Sequence, residues 1–323
     1  MALEIGGNAE SLRMMTKVAH LYHAKGLGQI EIAQRLGLSQ ARVSRLLAAA
    51  KEKGIVLSVV IPPKGIFSEL ERELELKYGI SQVHIVDGIG ENSEELTGSL
   101  GSALTSVFQL LPLEGKSIGF TSWSRSLRSF VFALPPLQRI KAKKIVELLG
   151  GVGEPSLQHL ATTATENLAR LTNAEPIFLR VPGVISSKDL KDALLNAQSH
   201  ATDALEEYDS LDIALVGVGA AESIDYGVQE SNFFSEKQFQ LAKSKGAVAE
   251  INLRFIDKDG KPVVTKLDEL VIGISLTELR RVPIKIGVSG GESKHEATLA
   301  LVRGKWVDVL ITDNDTAQYL LDH

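Results

Sequence analysis

Residues 26–54 read GLGQIEIAQRLGLSQARVSRLLAAAKEKG, and this stretch decides what the front of the chain is. It fits two short helices joined by a tight turn. The first runs from Gln29 to Leu36, where Ile30, Ile32, Ala33 and Leu36 supply a helical-period apolar face. Gly37 provides the turn, because glycine takes positive φ without a Cβ clash. Ser39 is placed to cap the second helix through its hydroxyl. In that helix Val43, Leu46 and Leu47 point inward, leaving Gln40, Arg42, Ser44 and Arg45 outside or on the flanks. Ala33 is small where the two helices must approach. Gly54 closes the second helix, with Lys51 and Lys53 in its last turn, where the macrodipole favours cations. This is the plan of a helix-turn-helix, whose second helix enters the DNA major groove. Arginine suits guanine edges and glutamine suits adenine edges. The candidate DNA-contacting residues are Gln29, Ser39, Gln40, Arg42, Ser44 and Arg45. An ordinary helical hairpin with solvated charges is the competing reading. It leaves the agreement of turn, cap, small residue and basic second helix without a cause.

Working outward, Glu10 to Lys25 makes a further helix with Leu12, Met15, Val18, Ala19 and Tyr22 apolar, completing a three-helix unit. After Gly54, Ile55 to Ile61 is strand-like, a wing or a return strand, and Pro62, Pro63 and Gly65 mark a hinge. Phe67 to Tyr78 reads as a strongly charged helix, a connector or a surface used in self-association. The charge is divided accordingly. Up to position 60 there are eight basic and four acidic residues, a net +4 that leaves −9 for the rest of a 323-residue chain whose total is −5. A basic head on an acidic body suits a protein whose head alone meets DNA.

From Val83 onward short apolar strands alternate with helices. The strand candidates are Val83–Val86, Ser117–Phe120, Ile145–Leu149, Ile177–Val181, Asp212–Val216, Val248–Ile256, Val271–Ile274, Ile284–Val288 and Val307–Ile311. The helical stretches are Glu94–Leu110, Arg125–Ala133, Leu157–Leu171, Asp189–Glu207, Glu236–Lys245, Lys294–Val302 and Thr316–Leu321. Strands apolar on both faces, alternating with helices, predict a doubly wound α/β sheet. The expected organisation is a small all-α helix-turn-helix domain at 1–61, a linker with a connector helix at 62–80, and an α/β domain at 81–323. Zero cysteines exclude disulfides and thiolate metal sites and fit a reducing cytoplasm. No apolar run reaches the roughly 18 residues of a membrane span, and the first residues do not read as a signal peptide.

Ligands of such sheets bind beyond the carboxyl ends of the strands, and those ends are rich in glycine and hydroxyls. They are Gly119-Phe120-Thr121-Ser122-Trp123-Ser124, Gly150-Gly151-Val152-Gly153, Gly217-Val218-Gly219, and Ser289-Gly290-Gly291-Glu292-Ser293-Lys294 directly before a helix. Glycines let backbone N–H groups approach an anion, a helix N-terminus adds its dipole, and Lys294 adds a full charge. Four such turns at successive strand ends favour a phosphorylated or polyhydroxylated ligand. The seven histidines show no metal-ligand spacing, and no cofactor is expected.

In this order the motifs resemble the SorC family of sugar-binding bacterial transcriptional regulators. The head LYHAKGLGQIEIAQRLGLSQARVSRLL resembles the family's helix-turn-helix. GFTSW, LLGGVG, VGVGA, GAVAEINLRFIDKDG, LVIGISLTELRRVPIKIGVSGGESKHEA and VDVLITDNDTA each resemble a body motif. The resemblance implies an effector domain related to sugar-phosphate isomerases, a homo-oligomer (dimer or tetramer), operator DNA as partner and a phosphorylated sugar or polyol as effector. By motif, Thr121, Ser122 and Ser124 would line the pocket beside Gly150, Gly151, Gly217 and Gly219. Gly290, Gly291 and Lys294 would form its anion end, and Arg254 and Asp257 would hold phosphate and hydroxyls. The residues themselves leave two of these roles open. Arg254 inside a strand needs a phosphate or a carboxylate such as Glu250, and Asp257 before Lys258-Asp259-Gly260 also suits a turn cap. Where the family often has Gly-Asp-Ile-x-Gly-Arg-Phe-Phe-Asp, this chain reads Ala249-Glu250-Ile251-Asn252-Leu253-Arg254-Phe255-Ile256-Asp257, and Trp123-Ser124-Arg125 replaces a tryptophan-glycine-arginine turn. The rival is an enzyme, a sugar-phosphate isomerase or deaminase with Asp257, Glu250 or Glu292 as base, but no acid–base pair stands at recognisable spacing. A ligand-free adaptor leaves the glycine turns unexplained.

Overall fold

The computed structural model describes residues 9–56, 66–88, 93–137, 140–197, 199–222 and 233–323. The chain divides into two compact units, Met1–Pro62 and Pro63–His323.

The first unit is three helices. α1 (Ala9–Ala19) continues into one wider turn at His20–Ala24, followed by α2 (Gln29–Leu36) and α3 (Gln40–Glu52). Gly37 ends α2 at φ 63°, the left-handed conformation that turns the chain. The Arg42 N–H donates to the Ser39 hydroxyl at 3.3 Å, so Ser39 caps α3. Val18, Ile32, Ala33 and Val43 are buried together, with Leu36, Leu46 and Leu47 packed around them. Ile30 differs from the expectation. It is 61% exposed, because it lies two residues from Ile32 and so on the opposite side of the helix. Ile55 and Val56 are not in a strand; their N–H groups donate to the Ala50 carbonyl and their side chains pack beside Met15, Ala19 and Ala50. The remaining strand-like residues 57–61 and the hinge at 62–65 lie outside the described residues.

The second unit opens with α4 (Ser68–Tyr78), which packs on the α/β body rather than standing apart. Leu74 is buried, the Lys77 ammonium donates to the carbonyls of Leu320 and Leu321, and the Tyr78 hydroxyl donates to Leu320 O at 2.6 Å. There follow β1 (Gln82–Val86), α5 (Ser93–Phe108), β2 (Ser117–Phe120), α6 (Arg125–Ala133), β3 (Lys144–Glu147), α7 (Pro155–Leu171), β4 (Glu175–Ile177), α8 (Lys188–Ala197), α9 (Ser199–Glu206), β5 (Ile213–Gly217) and β6 (Gly219–Ala220). The chain then adds α10 (Glu236–Ser244), β7 (Ala247–Ile251), β8 (Arg254–Asp257), α11 (Leu276–Arg281), β9 (Ile284–Val288), α12 (His295–Arg303), β10 (Val309–Asp313) and α13 (Asn314–Asp322).

Seven strands form one parallel sheet in the order β1-β10-β9-β5-β2-β3-β4, and β6-β7-β8 form a small antiparallel sheet. Both faces of the large sheet are covered, as a parallel sheet requires. Ile118, Phe120, Leu215 and Ile311 meet Leu104, Phe108, Leu127 and Phe130 of α5 and α6. Val83, Ala214, Val216 and Leu310 meet Leu74, Ala300, Leu301 and Leu320 of α4, α12 and α13. From β2 the chain steps outward through β3 to β4; from β5 it steps the other way through β9 to β10. β2 and β5 are neighbours, so the order reverses between them, and that is where an open α/β sheet leaves a crevice.

Three predicted elements differ. Val248–Ile256 is two strands, because Asn252 (φ 51°) and Leu253 (φ 60°) turn the chain into a hairpin. Val271–Ile274 makes single bridges, Val271 to Val184 and Gly273 to Leu149, rather than a strand. Ile177–Val181 shifts toward its start, pairing only at Glu175–Ile177.

Candidate functional site

A cavity of about 420 Å³ opens at the reversal point. It is assembled from the turns after β2, β3, β5 and β9, the β7–β8 hairpin, and the start of α5. The close approach of the central turns has a simple cause. Gly217 follows β5 against Ser124, and a Cβ there would lie 2.7 Å from the Ser124 Cβ. The missing side chain of Gly219 leaves room for the Glu250 carboxylate.

Seven residues of the predicted effector set line this cavity: Thr121, Ser124, Gly217, Gly219, Gly290, Gly291 and Lys294. Ser124 also caps α6, accepting from the Leu127 N–H. In the glycine turn after β9 one N–H already has a partner within the protein. The Gly291 N–H donates to Asp313 Oδ2 at 2.7 Å, so it is occupied. Asp313, 2% exposed, also accepts from Thr316 Oγ1 and the N–H groups of Asp315 and Thr316, tying the turn to the start of α13. Lys294 is the cation that this turn brings to the cavity.

Five predicted residues lie elsewhere. Ser122 is buried behind the wall, and its carbonyl accepts from Arg128 at 3.3 Å. The Gly150 and Gly151 N–H groups donate to the carbonyls of Ile272 and Val181, and a Cβ on Gly150 would lie 2.5 Å from Val181 O. Gly150 thus serves close backbone packing, whereas a Cβ on Gly151 would meet only the Gln158 side chain. Arg254, 7% exposed, spends its guanidinium on the carbonyls of Asp268 (2.6 Å), Ile274 (3.3 Å) and Gly273 (3.3 Å), with the Asp268 carboxylate at 3.6 Å. It fastens the segment 268–274 to β8 instead of holding a phosphate. Asp257 Oδ1 accepts from the N–H groups of Asp259 and Lys261, which makes it a turn cap.

The structure adds residues outside the expected effector set. Arg125 and Arg128, on the first turns of α6, line the cavity with Lys294. Arg128 also donates to the Trp123 carbonyl at 2.8 Å and so braces the turn that bears Ser124. Burial and the neighbouring Arg125 push the Lys294 ammonium pKa down, while Glu250 draws it back up. Glu250 accepts from the Leu253 N–H at 2.6 Å; burial raises its carboxyl above the usual range. Asn252 also lines the cavity, its Oδ1 accepting from the Thr121 hydroxyl at 2.8 Å. Leu96, Leu100, Leu149, Val152, Phe233 and Leu253 supply an apolar wall. Several cations, hydroxyls, the carboxylates of Glu250 and Glu292 and an apolar flank suit a small ligand with an anionic end and a hydroxylated carbon chain.

In the first unit Ser39, Gln40, Arg42, Ser44 and Arg45 are exposed along the start of α3, and Gln29 is half-buried at the start of α2. Arg45 Nε donates to the Ala41 carbonyl within the helix. Among the described residues no cluster of His, Asp or Glu could hold a metal, and no helix is long and apolar enough to cross a membrane.

Comparison with known proteins gives one answer. A family model described as "Putative sugar-binding domain" matches residues 65–322. The sorbitol operon regulator of Klebsiella pneumoniae is 28% identical over 315 residues, 97% of this chain and 99% of that protein. The transcriptional regulator LsrR of Escherichia coli K12 is 30% identical over 309 residues, 95% of this chain and 94% of LsrR. The crystal structure of the full-length sorbitol operon regulator SorC from Klebsiella pneumoniae superimposes with a TM-score of 0.73 over 97% of this chain and 100% of that one. These relatives are transcriptional regulators and not enzymes. The helical head, the α/β body and the matches along nearly the whole chain agree: the protein belongs to the SorC family of sugar-binding transcriptional regulators.

Proposed function

We propose that this regulator binds operator DNA through α3 and is controlled by a phosphorylated sugar or polyol in the cavity at the β2–β5 reversal. The observation that carries the effector reading is the convergence of Lys294, Arg125 and Arg128 on one cavity that also presents Thr121, Ser124 and Glu250. A phosphate would sit against the cations, and the hydroxylated chain would extend toward the hairpin. The related sorbitol operon regulator supports a sugar-derived effector. Gln40, Arg42, Ser44 and Arg45 are exposed on α3, the second helix of a helix-turn-helix, and that motif reads the major groove through its second helix, with Gln29 and Ser39 beside it. The protein works as a homo-oligomer in the cytoplasm, since two heads are needed to read two half-sites. The effector acts by favouring one arrangement of the body over another, which alters the grip of the heads.

The test is a thermal-shift titration of the full chain with sorbitol 6-phosphate, ribose 5-phosphate and their unphosphorylated parents. At a hundredfold excess over Kd, a phosphorylated ligand should raise Tm by about 5 °C. Lys294→Met should remove that shift while leaving DNA binding in the absence of ligand. Equal shifts with phosphorylated and unphosphorylated ligands would contradict the anion site.

A further inference from the structure

A second cavity, again of about 420 Å³, shares Glu292 and Ser293 with the first. Its other walls come from β6 and the residues just after it, α10, β7, the start of α12, and α13. Its charge is one-sided. Glu222, Glu292 and Glu296 line it against a single cation, Lys243, which lies 3.7 Å from Glu222. Among the described residues the Glu292 and Glu296 carboxylates make no hydrogen bond or ion pair. A helix N-terminus favours a carboxylate in its first turn, which accounts for Glu296 on α12 but not for Glu222 on the chain leaving β6. His295 adds a group that lacks a partner: its Nε2 is buried and bonded to nothing. The ring is held in place by stacking on Tyr319 at 4.6 Å, and Tyr319 stacks in turn on His323 at 4.1 Å. A buried polar atom without a partner is costly, and native proteins retain few of them.

We infer that this second cavity binds an aliphatic polyamine, and that its occupancy strengthens effector binding in the first. Three carboxylates and a ring nitrogen would suit a metal ion if they converged. Among the described residues no group of His, Asp or Glu is arranged to hold one. Carboxylates spaced around a cavity instead suit positive charges spaced along a chain. An ammonium N–H donates to a carboxylate, and another donates to His295 Nε2 in the neutral tautomer protonated at Nδ1. Ala221, Ala247 and Ala297 line the same cavity with methyl groups, which suit the CH₂ segments between the charges. The coupling follows from Glu292. It belongs to both linings, and a negative charge beside an anion site weakens that site. An ammonium bound at Glu292 offsets the charge. Polyamine and phosphorylated effector then favour each other's binding, by the same factor in both directions. The polyamine site stands on the second cavity alone; the coupling rests on the proposed phosphorylated effector.

The experiment measures spermidine binding to the full chain by calorimetry, at physiological salt and without DNA, with butylamine and magnesium chloride as comparators. Spermidine should bind saturably and about tenfold or more tightly than butylamine, since each further ammonium finds its own acceptor. Magnesium should displace it no better than sodium chloride of the same ionic strength. The double variant E222Q/E296Q keeps the side-chain shapes and removes two charges, and should weaken spermidine by about tenfold or more. H295F keeps a ring against Tyr319 and removes Nε2, and should weaken it similarly; if it does not fold, the double variant decides. Saturating spermidine should tighten sorbitol 6-phosphate by about fivefold in wild type and leave its affinity unchanged in E222Q/E296Q. No saturable spermidine binding, an equal affinity for butylamine, or an unchanged affinity in the variants would overturn the polyamine site. So would displacement by magnesium beyond its ionic strength. Spermidine binding that leaves sorbitol 6-phosphate affinity unaltered would overturn the coupling alone. Absence of any phosphorylated-ligand binding by wild type would overturn the effector reading, and the coupling with it, and leave the polyamine site standing.

Discussion

The family motifs imply anion-holding roles for both Arg254 and Lys294, yet their surroundings give them different work. Arg254 sits in β8 among carbonyls that face it from the segment 268–274, and its five N–H donors suit such a set. Lys294 stands at the cavity with Arg125 near enough to push its pKa down. No spacing rule distinguishes the two, because the acceptors of Arg254 come from backbone far along the chain. Thr121 and Ser124 stand in the first residues after β2 and Lys294 stands directly before α12, positions that the strand–turn–helix pattern marks in the sequence. Asn252 was hidden inside an apolar run, and Asn-Leu is an unusual pair for a two-residue turn. Arg125 and Arg128 fall within the helix expected at Arg125–Ala133, and helical spacing alone does not say which of its faces meets a cavity. A prediction belongs to Glu250, whose carboxyl pKa is raised by burial. A raised carboxyl favours the folded state while protonated, and that advantage is lost as pH rises through the folded pKa. Glu250→Gln keeps an oxygen for the Leu253 N–H and cannot ionise. Its Tm should therefore be at or above that of wild type at pH 7, with the difference closing as pH falls toward the carboxylate range. A Tm deficit that persists or grows at neutral pH would show the charge to be stabilising.

At the scale of elements, the sheet was legible because buried parallel strands are short apolar runs separated by helices of regular length. β2 and β9 and α2 and α6 fall where the pattern puts them. The misreadings occur where apolar sequence is buried without being a strand, as at Val271–Ile274, or where a turn interrupts it, as at Asn252-Leu253. α5 and α6 pack unusually closely, and the cavity depends on both. A Cβ on Gly101 would lie 2.7 Å from the Phe130 backbone nitrogen and 2.9 Å from Ser129. Backbone atoms cannot move aside like the end of a flexible side chain. Gly101→Ala should thus cost about 1–3 kcal/mol of stability despite alanine's better helix propensity. Denaturant unfolding of the variant reads this directly; a neutral or stabilising result would mean that the helices separate freely. α4 was expected as a linker helix, but Lys77 and Tyr78 fasten it to the end of α13.

At the scale of the whole molecule, the head is net cationic and the body net anionic, and the proposed function divides the labour between them. The head's share predicts that Arg42→Ala or Arg45→Ala weakens specific DNA binding by about 1–3 kcal/mol if the residue reads a base. A residue that holds a phosphate should instead reduce the salt slope by about one. Either variant should keep the wild-type thermal response to effector, and filter-binding or anisotropy titrations at several salt concentrations check it. Loss of both functions would mark these arginines as structural. The central claim is that the cavity and the head are coupled. The most direct test is the affinity of the full chain for its selected operator duplex, with and without a saturating phosphorylated sugar or polyol that gives a thermal shift. Coupling predicts that the ligand changes operator Kd by about 5- to 150-fold in wild type and leaves it unchanged in Lys294→Met. An operator Kd that is the same with and without a demonstrably bound ligand would contradict the account.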